Sequence, residues 1–519
     1  MADEKRGRGS FPDDDGIPIE LDVEGIQIRG ERRPKAEPIC VMDLERLVQQ
    51  QRDALQADNA DTDLEWIPAA ESHRLPGPLA RKPVEPMFDS SEDQEDDVVV
   101  IVETPDRTLR VTAPERPPRP PAPELRSLPL NVGTGLVAMD FGTTRCRVAA
   151  MVEGKVYLLP MPDGRPDMPA VVWFDRRGGA LVGEDARAML PIDPVNVVVS
   201  PRRLLGRLYR DPAIAGLLAD LPMASSEGAN GEIVLHPRGR MFAVSQVCAT
   251  VLAQLRRVAE HHLQREVTSV VLTTPVDFDE RQTRALGLAA SMAGLDVLQF
   301  VEEPVAAAVA NCFGRDCRDL VGVYDFGGAT FDFSVVDLND QMRVVASAAD
   351  PWLGGNDFEM AVADAAANHF WWEHKVELRH NSVQWQRLLL QAERAKRDLS
   401  RHEATMLELS DVARTRRGAL SVRFPLTRTR FTELSRGLID RSLDTCREAL
   451  ESQDLSPSDL KEVFLSSGTS YIPAVQRAVG QFFGSSLRPG VPPERAVLLG
   501  SAIYAACLRE ARGQATLPS

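Results

Sequence analysis

The sequence predicts an α/β protein whose core consists of two related halves. Two observations carry this. An apolar strand runs into an Asp-Phe-Gly turn and leaves as a second strand at VAMDFGTTRCRVAAMV (137–152), and nearly the same sentence returns at VYDFGGATFDFSVV (323–336). Each also opens a three-strand meander, so the repeat is a whole supersecondary unit rather than a chance tripeptide.

The elements follow in order. Before residue 130, acidic and proline-rich stretches alternate, with SSEDQEDD at 90–97 and TAPERPPRPPAPELRSLP at 112–129. Too little apolar surface is present there to offset the entropy of ordering, so 1–130 reads as a largely disordered arm. Two islands interrupt it. MDLERLVQQQRDAL (42–55) spaces its apolar residues helically, and VVVIVE (98–103) has the texture of a strand; each is either transient local order or a docking motif. From 131 the chain turns globular. GLVAMD, RCRVAAMV and KVYLLP predict three strands, one turn falling at Glu153-Gly154. LVGVYD, TFDFSVVDL and MRVVASA predict three more, with a turn at Asn339-Asp340. The expected division is a first lobe at 131–320 and a second at 321–519, whose C-terminal segment returns to the first.

Composition excludes several functions. A net charge of −16 gives nucleic-acid or anionic-membrane binding little support. No run approaches eighteen apolar residues, and the N-terminus lacks the apolar core of a secretory signal. Seven scattered cysteines, with Cys312 and Cys317 the nearest pair, predict reduced thiols and a cytoplasmic protein.

The paired turns point to phosphate. Glycine lets backbone amides approach a ligand, successive turn amides form an anion site, and threonine hydroxyls add donors. An aspartate opening each turn is poor company for phosphate unless a divalent cation lies between them. Two facing turns of this kind therefore suggest a nucleoside triphosphate held with Mg²⁺. One such turn alone would be an ordinary strand connection. A protein kinase is excluded by the missing His-Arg-Asp loop, and no Walker A sequence is present.

Residues 131–509 resemble the ATPase domain of the heat-shock 70 kDa (DnaK-type) chaperones, on the actin-like fold. MDFGTTRCRVA is similar to the first phosphate loop, and VGEDARAMLPIDPVNVVVSPRRLLGR to the segment carrying the catalytic lysine. VVLTTPVDFDERQ, AGLDVLQFVEEPVAAAVA, VYDFGGATFDFSVV, DPWLGGNDF, QAERAKRDLS, LTRTRFTEL, LSSGTSYIP and PPERAVLLGSAIYAA follow in family order.

The resemblance implies roles. Gly142, Thr143 and Thr144 would line the β- and γ-phosphates, opposed by Gly327, Gly328 and Thr330. Asp140 and Asp325 would hold Mg²⁺, with Asp332 near the metal and the attacking water. Glu303 would sit beside that water, and Pro275 would relay nucleotide state between lobes. Glu393, Lys396, Arg397 and Ser400 would hold the adenosine, and Gly354, Gly355 and Gly468 complete the cleft. Read without the resemblance, Glu393, Lys396 and Arg397 are a solvated helix face and Asp332 a polar position in an alternating strand.

Departures from the family limit what carries over. Arg202 stands where the family has its catalytic lysine, and a planar fork positions phosphate and water differently from a compact ammonium. Slower hydrolysis with ATP binding retained is the expectation. Arg145 stands where the family usually has a neutral residue; it reads as a strand residue pointing to solvent, the other reading being a contact to the phosphates. Ser467 and Tyr471 replace a glycine and an arginine in the adenosine loop, and Ala329 a glycine in the second clamp. After CLREARGQATLPS the family's linker, β-sandwich and lid have no counterpart, so a client-peptide cleft is not expected. The expected function is a DnaK-like, ATP-dependent and slowly hydrolysing switch with ATP or ADP and Mg²⁺ as cofactors. Its protein partners would engage the arm or the lobe surfaces. The alternatives are a non-catalytic nucleotide-binding scaffold and, less favoured, an actin-like filament protein.

Overall fold

The computed structural model describes residues 136–515 apart from 153–154, 178, 314–318, 340–341, 416–417, 485–486 and 489. It also describes the strands Leu21–Asp22, Val99–Thr104 and Arg107–Thr112. The candidate helix at 42–55 and most of the 1–130 arm lie outside these residues. The strand expected at 98–103 falls on Val99–Thr104, which pairs antiparallel with Arg107–Thr112. That hairpin belongs to a separate unit, Leu64–Arg126.

The first sheet is built on β1 (Leu136–Phe141), β2 (Arg145–Val152) and β3 (Lys155–Leu158), all antiparallel. On the other side β4 (Ser269–Thr274) runs parallel to β1, and β5 (Asp296–Glu302) parallel to β4. The second sheet repeats the antiparallel motif with β6 (Leu320–Phe326), β7 (Phe331–Asp337) and β8 (Arg343–Asp350). A later strand, β11 (Glu462–Ser466), is added parallel to β6. Between them in sequence lies the hairpin of β9 (Ala404–Thr415) and β10 (Gly418–Thr427).

The helices follow sequence signals. α1 (Val244–Leu263) buries a stripe from Val247 and Val251 to Leu255 and Val258 against the first sheet. α2 (Glu280–Met292) starts at a capping box in which Asp279 accepts from the Gln282 amide at 2.7 Å. α3 (Glu303–Cys312) has Pro304 in its first turn, where no intrahelical N–H is needed. α4 (Gly355–His374), α5 (Ser382–Arg401), α6 (Arg428–Glu451) and α7 (Pro473–Phe483) surround the second sheet. Its core is aromatic: Tyr324, Phe326, Phe331 and Phe358 pack edge to face, and the Tyr324 hydroxyl meets Ser442 at 2.7 Å. The last helix, α8 (Ala496–Ala515), packs on α3 and on β1 and β2.

The two hairpins share one register. Asp140 lies opposite Arg147 and Phe141 opposite Cys146; Asp325 lies opposite Asp332 and Phe326 opposite Phe331. In both, the aspartate that opens the turn faces the residue seven positions later. The repeat read from sequence is thus a repeat of strand pairing.

Candidate functional site

The turns after β1 and β6 come together. A Cβ on Gly328 would collide with the Thr144 side chain, so the two loops touch and glycine is required at 328. The second loop is closed by Gly327 N–H donating to the Thr330 carbonyl at 2.9 Å. It is braced from behind, where the Gly355 and Asn356 amides donate to the Gly327 and Gly328 carbonyls at 3.0 and 2.8 Å. Gly354 packs directly on the Ala329 backbone, and the Thr469 hydroxyl donates to the Gly327 carbonyl at 2.8 Å.

Beneath the loops lies Arg202, carried by a 3-10 turn at Pro201–Leu204 and 5% exposed. Its Nε and Nη2 donate to Thr143 Oγ1 at 3.2 and 2.8 Å, and its Nη1 donates to Glu303 Oε1. Burial opposes the charge of Arg202, and Glu303 more than offsets this. Burial also raises Glu303 to about 7 despite the guanidinium, so the group is poised to exchange a proton near neutrality.

The shared register gives the two opening aspartates opposite surroundings. Asp140 Oδ2 accepts from Arg147 at 3.1 Å. Asp325 instead faces another acid across the strands. Burial pushes Asp325 up, although the Ser466 hydroxyl donates to it at 2.9 Å. Burial, with the nearby charges of Asp277, Asp325 and Glu303, holds Asp332 well above the usual carboxylate range. A cavity of about 10 Å³, at the lower limit of the space that admits one water, is lined by Pro275, Glu303, Asp325, Asp332 and Ser334 among others. The Ser334 hydroxyl there is buried without a partner.

The α5 face is engaged rather than solvated. Glu393 receives Arg145 and Arg187 on its two oxygens, and Lys396 bonds Glu359 at 2.6 Å and the Gly355 carbonyl at 3.1 Å. Ser400 bonds back to the Lys396 carbonyl at 3.4 Å. Arg397 is exposed, and Gly468 faces open space. The reading of Arg145 as a solvent-facing strand residue is corrected. Its guanidinium is drawn inward by three carboxylates, Asp167 at 3.0 Å, Glu184 at 3.2 Å and Glu393 at 3.4 Å, at 17% exposure.

Sequence reasoning missed Arg147, Asp167, Glu184 and Arg187. Arg147 was findable, since aligning the two repeats puts it at the position of Asp332, facing the turn-opening aspartate. The others carry no motif of their own. It also missed Arg203, which donates to the Pro351 carbonyl at 3.1 Å and stacks on Trp352 at 4.8 Å, just ahead of Gly354.

A pair of sheets bearing register-matched Asp-Phe-Gly hairpins, with loops meeting at a cleft, defines the actin-like nucleotide-binding class. A family model described as Hsp70 protein matches residues 136–517, and the chain belongs to the Hsp70 family of ATP-binding proteins. No helix among the described residues is long and apolar enough to cross a membrane.

Proposed function

We propose that the chain binds ATP with Mg²⁺ between the two Asp-Phe-Gly loops and acts as a nucleotide-dependent switch with slow hydrolysis. The observation that carries this is the meeting of Gly328 with Thr144 directly above the buried Arg202–Glu303 pair. The residues suit the ligands. The loops expose glycine backbone, and Gly468 leaves room beside the α5 face. The acids supply hard oxygen donors, and the opposed Asp325 and Asp332 repel one another, a repulsion that a cation would relieve. Among the described residues no three His, Cys, Asp or Glu side chains cluster tightly enough to ligate a metal directly, which favours holding it through water.

In this reading Gly142, Thr143 and Thr144 on one side, and Gly327, Gly328 and Thr330 on the other, hold the phosphates. Asp140 and Asp325 would hold Mg²⁺, which when bound would neutralise phosphate charge. Arg202 supplies a fixed positive charge at the phosphate end. Glu303, raised toward neutrality, orients and deprotonates water, while Asp332 keeps the adjoining space polar. Glu393, Lys396, Arg397 and Ser400 take the nucleoside; each Glu393 oxygen has a second lone pair, so ribose hydroxyls can share the carboxylate with Arg145 and Arg187. Lobes at 131–320 and 321–519 would move against each other, and partners would read the change through the arm or the lobe surfaces.

The second reading is a scaffold that binds nucleotide without turnover. It draws support from the same pair: an Arg202 already held by Glu303 and Thr143 ties up the group that would activate water. Calorimetry with ATP, ADP and GTP at millimolar Mg²⁺ tests both, and no adenine-nucleotide binding would reject them together.

A further inference from the structure

The acids and arginines around Arg145 form one continuous chain of ion pairs. Asp140 Oδ2 is held by Arg147 Nη1 at 3.1 Å, and Arg147 Nη2 reaches Asp167 Oδ2 at 3.3 Å. Asp167 Oδ1 is held by Arg145 Nη1 at 3.0 Å, and Arg145 Nη2 reaches Glu393 Oε1 at 3.4 Å. The chain therefore runs from the aspartate of the first phosphate loop to α5 on the opposite sheet.

Local structure explains its continuity. Arg145 and Arg147 are two apart on β2, so their side chains leave the same face of the strand. Asp167 is delivered to that face by the short strand Met168–Pro169, which pairs with β2 opposite Arg145 and Cys146. The five side chains are 9–17% exposed, so solvent and salt screen them little. Although burial opposes its charge, Arg147 and Arg145 together hold Asp167 below the usual carboxylate range.

We propose that Arg145, Asp167 and Arg147 are positioning residues that couple a cation at Asp140 to the contact between sheets at Glu393. This rests on the nucleotide reading above. Arg147 and Asp167 each divide between two partners of opposite sign, and Arg145 among three, Asp167, Glu184 and Glu393, so a change at one end redistributes the rest. A cation beside Asp140 would compete with Arg147 for that carboxylate. Arg147 would then turn to Asp167 alone, Asp167 would hold Arg145 less, and Arg145 would be left for Glu184 and Glu393. Mg²⁺ at the phosphate end thereby tightens the contact at the nucleoside end.

Two variants of the full chain test this. Asp167→Asn removes the middle charge at constant shape. Arg147→Lys keeps the charge, but an ammonium cannot span two carboxylates as a fork does. The first readout is the release rate of a fluorescent ADP analogue with Mg²⁺ and with chelator. Mg²⁺ should slow release from the wild type by a factor at least about fivefold larger than in either variant, the lower end of ordinary coupling. The second readout is amide hydrogen exchange of α5 on adding MgCl₂ without nucleotide, where protection should rise in the wild type and not in the variants. Equal Mg²⁺ factors in all three proteins, or equal α5 protection, would overturn the coupling. A wild type that binds no nucleotide would reject the functional reading instead, and the exchange experiment would still decide the coupling. If Asp167→Asn fails to fold, Arg147→Lys carries both readouts.

Discussion

Arg202 bonds Glu303 and Thr143 at once, spending one end of its guanidinium on the acid and the other on the hydroxyl of the first phosphate loop. A lysine would have to reach both from one nitrogen rather than from separate arms of a planar fork. The pair joins the loop after β1 to the start of α3, so its chemistry and its mechanical role cannot be separated by inspection of either residue alone.

Replacing the fork should free the acid. Arg202→Lys is expected to raise single-turnover ATP hydrolysis while leaving ATP affinity within a few-fold. Glu303→Gln should remove what hydrolysis the wild type has, since one well-placed group in such a site is worth on the order of 100- to 1000-fold in rate. If all three proteins bind ATP and are equally inert, the scaffold reading replaces the switch.

Glu303 also predicts how stability responds to pH. Its folded value is raised from 4.5 to about 7, so the fold binds the proton more tightly than the unfolded chain does. The associated stability is fully present below 4.5 and is lost as pH rises through about 7. For a shift of this size the loss is at most about 3 kcal/mol. Urea titrations of the nucleotide-free protein at several pH values should show stability falling across this window, with a shallower fall in Glu303→Gln. An unchanged slope in the variant would assign the pH dependence to other groups.

The loop after β11 carries backbone strain. Ser467 adopts φ 63° and ψ 167°, a region that essentially only glycine occupies without cost. Ser467→Gly should stabilise the protein by about 1 kcal/mol, within the ~1–3 kcal/mol usual for such residues. It should also tighten adenine-nucleotide binding by removing the side chain. Denaturant midpoints and calorimetry check the two effects separately.

Arg203 over Trp352 provides an optical handle on the second loop. Its stacking is worth roughly 0.5–1 kcal/mol and sets the environment of that indole. Nucleotide with Mg²⁺ is expected to change tryptophan emission in the wild type, and Trp352→Phe should remove most of the change. Arg203→Ala should leave Trp352 emission insensitive to nucleotide while the protein still binds it.

The sequence made the repeat legible because glycine turns and alternating strands leave local traces. Asp140, Asp325 and the glycines of both loops could be named for that reason. The family match over 136–517 bears out the resemblance and the actin-like fold. What could not be read was charge brought together by tertiary structure. Asp167, Glu184 and Glu393 are far apart in the chain, and nothing near any of them announces a common partner in Arg145. Without the resemblance Glu393 and Lys396 read as an ordinary charged helix face, and nothing local announces Arg145, Arg187 and Glu359 as their partners. The turn at Glu153-Gly154 and the arm's helix at 42–55 fall outside the described residues, so they add nothing to this comparison.

The close crossing of α8 over α3 has a consequence for how the protein is made. A Cβ at Gly500 would overlap the Ala306 carbonyl, so the helices approach backbone to backbone. Leu498, Leu499, Ala502 and Ile503 then cover Ala138 and Ala149 of the first sheet together with Val305 and Val309. Those covering residues are translated long after β1 and β2. At about 5–20 residues per second, the delay is on the order of tens of seconds. Throughout that interval the first sheet has an uncovered apolar face at the ribosome. Of the hairpins in the two sheets, the one translated first is the last to be sealed, so nascent chains should depend on chaperoning most strongly over that face, until α8 emerges.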